Sequence, residues 1–232
     1  MSPFPGIPED LLTGLEAPNP LDVGVLRTAL EPLATPPDGP LRTLLDYGRL
    51  LLAANRMVNL TGAKDWRTLI HAHFLDCLQA ARYVPDDARV VADWGSGAGL
   101  PGLVWAAVFP EKQILLLERN GKKAAFLKEA ILRLELFQVE VLQGQGEERL
   151  HREEGVDLVV ARAVEPLPKL LTRLRRNKVR HRSLFVMAGP SWEEAWLAMP
   201  KEQRRSWKLP AKHRYLLSDD LGERHLAVFK PA

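Results

Sequence analysis

The chain has 232 residues, 46% of them hydrophobic, and its formal net charge at pH 7 is +3. This length can bury a sizeable core, and the single cysteine, Cys77, excludes an internal disulfide framework. Because neither a secretory signal nor an apolar run of membrane-spanning length is visible, the sequence predicts a cytoplasmic protein with a reduced thiol and no membrane contact.

The first forty residues differ in charge from the rest. Residues 1–40 contain six acidic side chains and one basic one, so residues 41–232 carry a net charge of +8. The first segment is also rich in proline, which predicts an extension of irregular chain and short helices. The basic remainder favours an anionic partner.

Two helices are expected next. One begins at Asp38 and the other runs from about Arg67 to Tyr83, with a break at residues 59–62 between them. His73 and Asp76 lie three residues apart on the second helix, so they can face the same way. We expect either a bonded pair near a site or a structural histidine where the helix meets the next domain.

From Val90 onward, short apolar segments alternate with helical ones, which predicts a parallel sheet with crossover helices. Strands are expected at 90–94, 113–118, 139–143, 156–161 and 183–188, and further ones at 207–209, 214–217 and 225–229. No helix separates the last two, which predicts an antiparallel pair at the end of the sheet. The fold class is therefore α/β, Rossmann-like, with a mainly parallel seven-stranded sheet. We divide the chain into an acidic extension (1–40), a helical region (41–86) and a ligand-binding domain (87–232).

The stretch from Asp93 to Gly102 combines a strand end, a turn with four glycines and a helix start. It contains the pattern G-x-G-x-x-G, which leaves a nicotinamide or flavin cofactor, and hence an oxidoreductase, open; an ordinary glycine-rich turn also fits. Asp93, two residues before Gly95, favours S-adenosylmethionine instead. A carboxylate there repels a pyrophosphate but can accept hydrogen bonds from an ammonium group.

Other candidates follow the strands, because ligands of such sheets bind beyond the carboxyl ends of the strands. Glu118 can hold two ribose hydroxyls, or it is simply a solvated charge. Gly146 and Glu147 follow the third strand, where they could contact the amino group of an adenine. Arg162 follows the fourth strand at the expected reaction edge, with a surface arginine as the alternative.

A run of basic residues precedes the fifth strand. It predicts a phosphate-binding patch for RNA, with a solvated helix end as the alternative. The residues that we expect to contact RNA are His73, Arg175, Arg176, Lys178 and Arg180.

Several of these sequence segments, together with others, form a characteristic series along the chain. They are Asn59-Leu60-Thr61, His73-Phe74-Leu75-Asp76, Asp93 to Gly102, Gly121-Lys122-Lys123, Ala161-Arg162-Ala163 and Gly222-Glu223-Arg224-His225-Leu226. Jointly they resemble the bacterial small-subunit ribosomal RNA methyltransferase G family, also called glucose-inhibited division protein B. The resemblance runs from about Leu44 to Lys230.

The resemblance implies N7-methylation of a guanosine in 16S ribosomal RNA, with S-adenosylmethionine as donor and the small ribosomal subunit as partner. It implies cofactor contacts at Gly95, Leu100, Gly146, Glu147 and Arg162, to which we add Asp93, Gly97 and Glu118. Arg162 and Arg224 are expected to position the substrate. No general base is expected, since guanine N7 is already a lone-pair nucleophile, and we expect a monomer without a metal.

Three positions depart from the family pattern. Ala72 and Gln145 stand where the family usually has arginine, and Ala188 stands where it usually has lysine. The loss of three cations should weaken RNA binding and flatten its salt dependence. A catalytically weakened or non-catalytic RNA-binding member that keeps the fold is therefore the alternative function.

Overall fold

Seven strands form one sheet in the computed structural model, which describes residues 6–150, 155–217 and 221–232. The strands are β1 (Val90–Trp94), β2 (Gln113–Glu118), β3 (Val139–Gln143), β4 (Leu158–Arg162), β5 (Ser183–Ala188), β6 (Ala211–Leu216) and β7 (Glu223–Phe229). Their order is β3-β2-β1-β4-β5-β7-β6, and β7 is antiparallel to both of its neighbours. The predicted α/β class, with a mainly parallel sheet and a terminal antiparallel pair, is confirmed.

Helices cover both faces of this sheet. They are α1 (Glu9–Thr13), α2 (Pro20–Leu30), α3 (Asp38–Asn55), α4 (Trp66–Thr68), a π-helical segment (Leu69–Phe74), α5 (Leu75–Ala81), α6 (Gly102–Val108), α7 (Gly121–Arg133), α8 (Gly146–Leu150), α9 (Leu167–Arg176), α10 (Trp192–Leu197) and α11 (Lys201–Arg204). The side chains of α2, α3 and α5 to α7 join one core, and those of α8 to α10 join the other. No helix in the described ranges is long and apolar enough to span a lipid bilayer.

The central strands are apolar on both sides. The side chains from Ile114 to Leu117 in β2 and from Leu158 to Ala161 in β4 are all buried. Continuous burial is expected where helices cover both faces of a parallel sheet. The edge strand β6 is half-exposed to exposed along its whole length.

Several details of the predicted strands were wrong. Trp207 makes an isolated bridge to Pro231 instead of opening a strand at 207–209. Its ring is buried against Phe229, 6.1 Å between centroids, so tertiary packing explains this apolar residue. The fourth strand begins at Leu158, two residues later than predicted, and the last two strands begin at Ala211 and Glu223, three and two residues earlier than predicted. The sequence also predicts a short helix near residues 146–153; the structure has a helix from Gly146 to Leu150, and residues 151–154 lie outside the described ranges.

The helices before the sheet share its main core. Leu26 and Leu30 of α2 are fully buried there, and the ring of Tyr47 in α3 stacks on Phe74 at 5.5 Å. The Tyr47 hydroxyl donates a hydrogen bond of 2.6 Å to the carbonyl oxygen of Ala98. The N-terminal helices therefore fix the loop that follows β1, whereas the divisions at residues 40 and 86 stay predictions.

Candidate active site

The loop between β1 and α6 has a shape that requires glycine. Gly95, Gly97 and Gly99 have φ angles of 74°, 58° and 96°, which side chains other than glycine rarely adopt. A Cβ atom at Gly95 would also lie 2.8 Å from a methyl group of Val164. The turn can therefore pass close beneath the residues that follow β4.

Glu118, at the end of β2, forms one wall of a cavity of about 350 Å³ beside this loop, the first cavity. Its Oε2 accepts a hydrogen bond from the amide of Gly97 at 2.9 Å, and its Oε1 accepts one from the amide of Asn120 at 2.6 Å. Each carboxylate oxygen can accept a second hydrogen bond. The two amides thus fix the carboxylate while leaving it able to receive two hydroxyl groups.

The loop after β3 closes another side of the first cavity. A Cβ atom at Gly146 would lie 2.9 Å from the ring of Trp94, so glycine lets the loop rest against this ring. Gln145 lines the same wall. Glu147 is not among the lining residues, and its Oε1 instead lies 3.5 Å from Nε of Arg173.

Asp93 is not placed as the sequence predicts. Its side chain is only 1% exposed, and Oδ2 accepts the amide hydrogen of Gly102 at 3.0 Å, at the start of α6. Burial raises the pKa of Asp93 to about 7, against the lowering effect of the Gly102 hydrogen bond. This geometry does not support the predicted contact between the carboxylate and a ligand ammonium group, since the side chain braces the loop from behind.

Of the eight predicted cofactor residues, four line the first cavity: Gly95, Gly97, Glu118 and Gly146. Asp93, Leu100, Glu147 and Arg162 are not part of this lining. The side chain of Leu100 is 8% exposed and belongs to the main core, because the loop turns it away from the cavity. Any ligand contact of Leu100 would have to come from its backbone.

A second cavity, of about 580 Å³, adjoins the first, because Ala163 and Glu165 line both. It brings together residues from four separate parts of the chain. These are Ala72, His73 and Asp76; Arg162, Ala163 and Glu165 to Leu167; Val186 to Gly189, Ser191, Trp192 and Ala195; and Arg224. Both predicted substrate-positioning arginines thus lie in one cavity, and two of the family-divergent positions, Ala72 and Ala188, form part of its wall.

Arg162 joins β4 to the helix before the sheet. Its Nε lies 3.1 Å from Oδ2 of Asp76, and its Nη1 lies 3.6 Å from Sγ of Cys77. Its Nη2 donates to Nδ1 of His73 and lies 3.5 Å from the carbonyl oxygen of Ala72. The guanidinium is therefore held by the protein itself, and His73 and Asp76 are linked through Arg162 instead of to each other.

His73 is a neutral ring in this arrangement. Since a guanidinium can only donate, Nδ1 of His73 accepts, and the ring proton sits on Nε2, 3.3 Å from the Thr61 hydroxyl oxygen. Burial lowers the pKa of His73 to about 4, and the charge of Arg162 adds to this. The predicted contact of His73 with RNA cannot then be an ion pair at neutral pH.

The basic run lies near the amino ends of the strands, whereas the two cavities lie beyond the carboxyl ends. Helix α9 starts beyond the carboxyl end of β4 and runs about 15 Å, ten residues at 1.5 Å each, back toward the start of β5. After it, Arg182 pairs with Asp87 at 2.7 Å and with Asp157 at 2.9 Å. Asp157 in turn accepts the amides of Arg89 and Val90 where β1 begins. The predicted RNA residues Arg175, Arg176, Lys178 and Arg180 therefore do not adjoin the cavities.

Two residues at this site, Glu165 and Tyr215, were not predicted from the sequence. Glu165 could have been found, because it follows β4 at the edge where ligands bind. Tyr215 could not, since its hydroxyl donates to Oδ1 of Asp76, 139 residues away, at 2.8 Å. Among the described residues, no group of three or more histidine, cysteine or acidic side chains is placed to hold a metal ion.

The strand order, the glycine turn after β1 and the acid at the end of β2 define a class I methyltransferase fold. The METTL16 methyltransferase domain without its N-terminal segment has this fold, with a TM-score of 0.56 and 15% identity over 81% of this chain and 96% of that domain.

A family described as rRNA small subunit methyltransferase G matches residues 41–216. The ribosomal RNA small subunit methyltransferase G of Halorhodospira halophila is 38% identical over 76% of this chain and 83% of its own length. That of Xanthomonas oryzae pv. oryzae is 34% identical over 82% of this chain and 86% of its own length. The chain belongs to the rRNA small subunit methyltransferase G family, as its motifs predict.

Proposed function

We propose that the protein transfers a methyl group from S-adenosylmethionine to N7 of a guanosine in the 16S rRNA of the small ribosomal subunit. The observation that carries this proposal is the shared wall: Ala163 and Glu165 separate a cavity suited to a nucleoside from a second cavity large enough for a flipped base. The relatives named rRNA small subunit methyltransferase G support ribosomal RNA as the substrate. We also propose that it acts in the cytoplasm, and a monomer stays a prediction.

The first cavity fits S-adenosylmethionine, which supplies an electrophilic methyl group when bound. The carboxylate of Glu118 has acceptor capacity left for two ribose hydroxyls. Gly95, Gly97 and Gly146 keep side chains out of the cavity, and the volume of about 350 Å³ falls within the usual range for small-molecule sites. Four residues stay predicted cofactor contacts although they do not line the first cavity, so they would have to contact the cofactor through backbone atoms or affect its binding indirectly: Asp93, Leu100, Glu147 and Arg162.

The chemistry needs positioning more than proton transfer. Guanine N7 carries a free lone pair, so holding it in line with the methyl group and excluding water supplies the rate enhancement. Nδ1 of His73 is occupied by Arg162, and both oxygens of Asp76 are engaged by Arg162 and Tyr215. These side chains hold one another in place, so neither His73 nor Asp76 is free to act as a base.

The proposal is tested with small subunits from cells that lack this gene. The purified protein and tritiated S-adenosylmethionine should label 16S rRNA, and mass spectrometry should find one N7-methylguanosine. Glu118→Ala should lower the affinity for S-adenosylmethionine at least about tenfold, because two charge-assisted hydrogen bonds are lost. Glu148→Gln, at an exposed position on α8, is the control. Cofactor binding without any methyl transfer would favour the non-catalytic alternative.

The basic run stays a proposed RNA contact, remote from the reacting base. Replacing Arg175, Arg176 and Arg180 by glutamate should raise KM for small subunits and reduce the salt dependence of binding, since phosphate contacts release counterions. The value of kcat at saturating subunits should stay unchanged, because these residues do not adjoin the cavities. Unaltered KM and salt dependence would leave the run a solvated helix end.

A further inference from the structure

One carboxylate oxygen at the shared wall lacks a hydrogen-bond partner. Among the described residues that line the two cavities, the acids are Glu118, Asp76 and Glu165. Both oxygens of Glu118 accept backbone amides, and both oxygens of Asp76 are paired. Oε2 of Glu165 is buried and accepts no hydrogen bond.

Glu165 is nevertheless held firmly. Its side chain is 7% exposed, and Oε1 accepts a hydrogen bond of 3.1 Å from Nη1 of Arg173. Nζ of Lys169 lies 3.7 Å from Oε2, beyond hydrogen-bond distance. A buried polar atom without a partner costs free energy, so this oxygen is suited to a ligand that brings a donor.

We propose that Glu165 recognises the target base by accepting hydrogen bonds from the N1–H and N2 amino groups of guanine. This inference rests on the proposed function and adds a specificity-determining residue to it. Guanine carries these two donors side by side on its Watson–Crick edge, the edge by which proteins read unpaired RNA bases. Adenine presents an N1 lone pair there, so a fixed carboxylate repels it.

The rest of the second cavity complements the other parts of a guanine. Leu167, Met187 and Trp192 offer apolar surface for the flat ring. The guanidinium of Arg224 lines the same cavity and can donate to the O6 acceptor. Methylation at N7 leaves the base positively charged, so a neighbouring carboxylate also stabilises the charge that develops.

The inference is tested by removing one group on each side of the contact. Small subunits are reconstituted with 16S rRNA that carries guanosine or inosine at the target nucleotide; inosine keeps N7, O6 and N1–H but lacks the N2 amino group. We expect kcat/KM of the wild-type protein to fall roughly 10- to 100-fold with inosine. In Glu165→Ala and Glu165→Gln the guanosine-to-inosine ratio should fall to about 1–3, because the partner of the N2 amino group is gone or weakened.

Two measurements separate recognition from structure. The affinity for S-adenosylmethionine and the melting temperature of Glu165→Gln should match those of the wild type. The control is Glu194→Gln, an exposed carboxylate on α10, which should keep the wild-type ratio.

Three results would overturn the inference. If Glu165→Ala keeps the wild-type guanosine-to-inosine ratio of kcat/KM, the role of Glu165 is overturned but the proposed function is not. A tenfold loss of cofactor affinity in Glu165→Gln with the ratio intact assigns Glu165 to the methyl donor instead. No methyl transfer by the wild-type protein to the guanosine substrate overturns the proposed function as well.

Discussion

Replacing Asp93 by asparagine separates two roles for this carboxylate. The sequence predicts a contact with the ammonium group of the cofactor, whereas the structure has the carboxylate buried and bonded to the amide of Gly102. Asparagine keeps an oxygen for that amide and removes the charge. The buried role predicts a change in stability with pH, and the ligand role predicts a loss of cofactor affinity.

The size of the stability change follows from the pKa. Burial raises the pKa of Asp93 to about 7, against about 3.9 for an unfolded aspartate. Because the folded state holds the proton more tightly, stability is highest below the unfolded pKa and falls as pH rises through the folded one. The contribution lost is about 2 kcal/mol between about pH 5.5 and pH 8.5, and about 4 kcal/mol in all.

Urea unfolding at these two pH values measures the effect. Asp93→Asn should be more stable than the wild type, and its advantage should grow by about 2 kcal/mol at the higher pH. Asp86→Asn, an exposed loop carboxylate, should show no such growth. Calorimetry should find the affinity of Asp93→Asn for S-adenosylmethionine unchanged. A constant stability difference together with a tenfold loss of affinity would refute the buried role and restore the contact predicted from the sequence.

Three further predictions concern the walls of the site. Tyr47→Phe leaves the carbonyl of Ala98 without its 2.6 Å hydrogen bond, and urea unfolding should show a loss of about 1–3 kcal/mol. Gly146→Ala puts a Cβ 2.9 Å from the buried Trp94 ring, so urea unfolding should show a loss of about 1–3 kcal/mol, and calorimetry should show cofactor affinity at least about tenfold lower because the displaced ring narrows the cavity. Arg224→Ala should raise KM for small subunits about tenfold, as a lost hydrogen bond to a charged group predicts, with unchanged cofactor affinity; unchanged KM would remove Arg224 from substrate positioning.

The sequence predicts the sheet well because its strands are short, apolar and separated by turn residues. The segments 90–94, 113–118, 139–143 and 183–188 match the observed strands at both ends. The strand predicted at 207–209 was wrong because the apolar side chain of Trp207 is buried by a tertiary contact with Phe229 and not by strand pairing.

The site was harder to predict than the fold. The edge at which ligands bind follows from topology, so Gly95, Glu118 and Gly146 could be selected from their positions. Which way a side chain points is decided by packing: Asp93 lies in the correct strand but is turned into the core. The position of the basic run follows from the sequence, since residues that precede β5 lie near the amino ends of the strands, away from the edge at which ligands bind; its contact with RNA stays a prediction.

The second cavity also gives physical meaning to the departures from the family pattern. Ala72 and Ala188 line its wall at positions where the family usually has cations. The guanidinium of Arg162 is already engaged by Asp76 and His73. This leaves Arg224 as a cation with donors to spare in the same lining as Glu165, whose Oε2 accepts no hydrogen bond. Within the second cavity, electrostatic attraction to phosphate is therefore reduced, and recognition depends more on hydrogen bonds to the base. Because phosphate contacts displace counterions, the salt dependence of binding should come mainly from the basic run, whereas the second cavity should supply the discrimination of guanine.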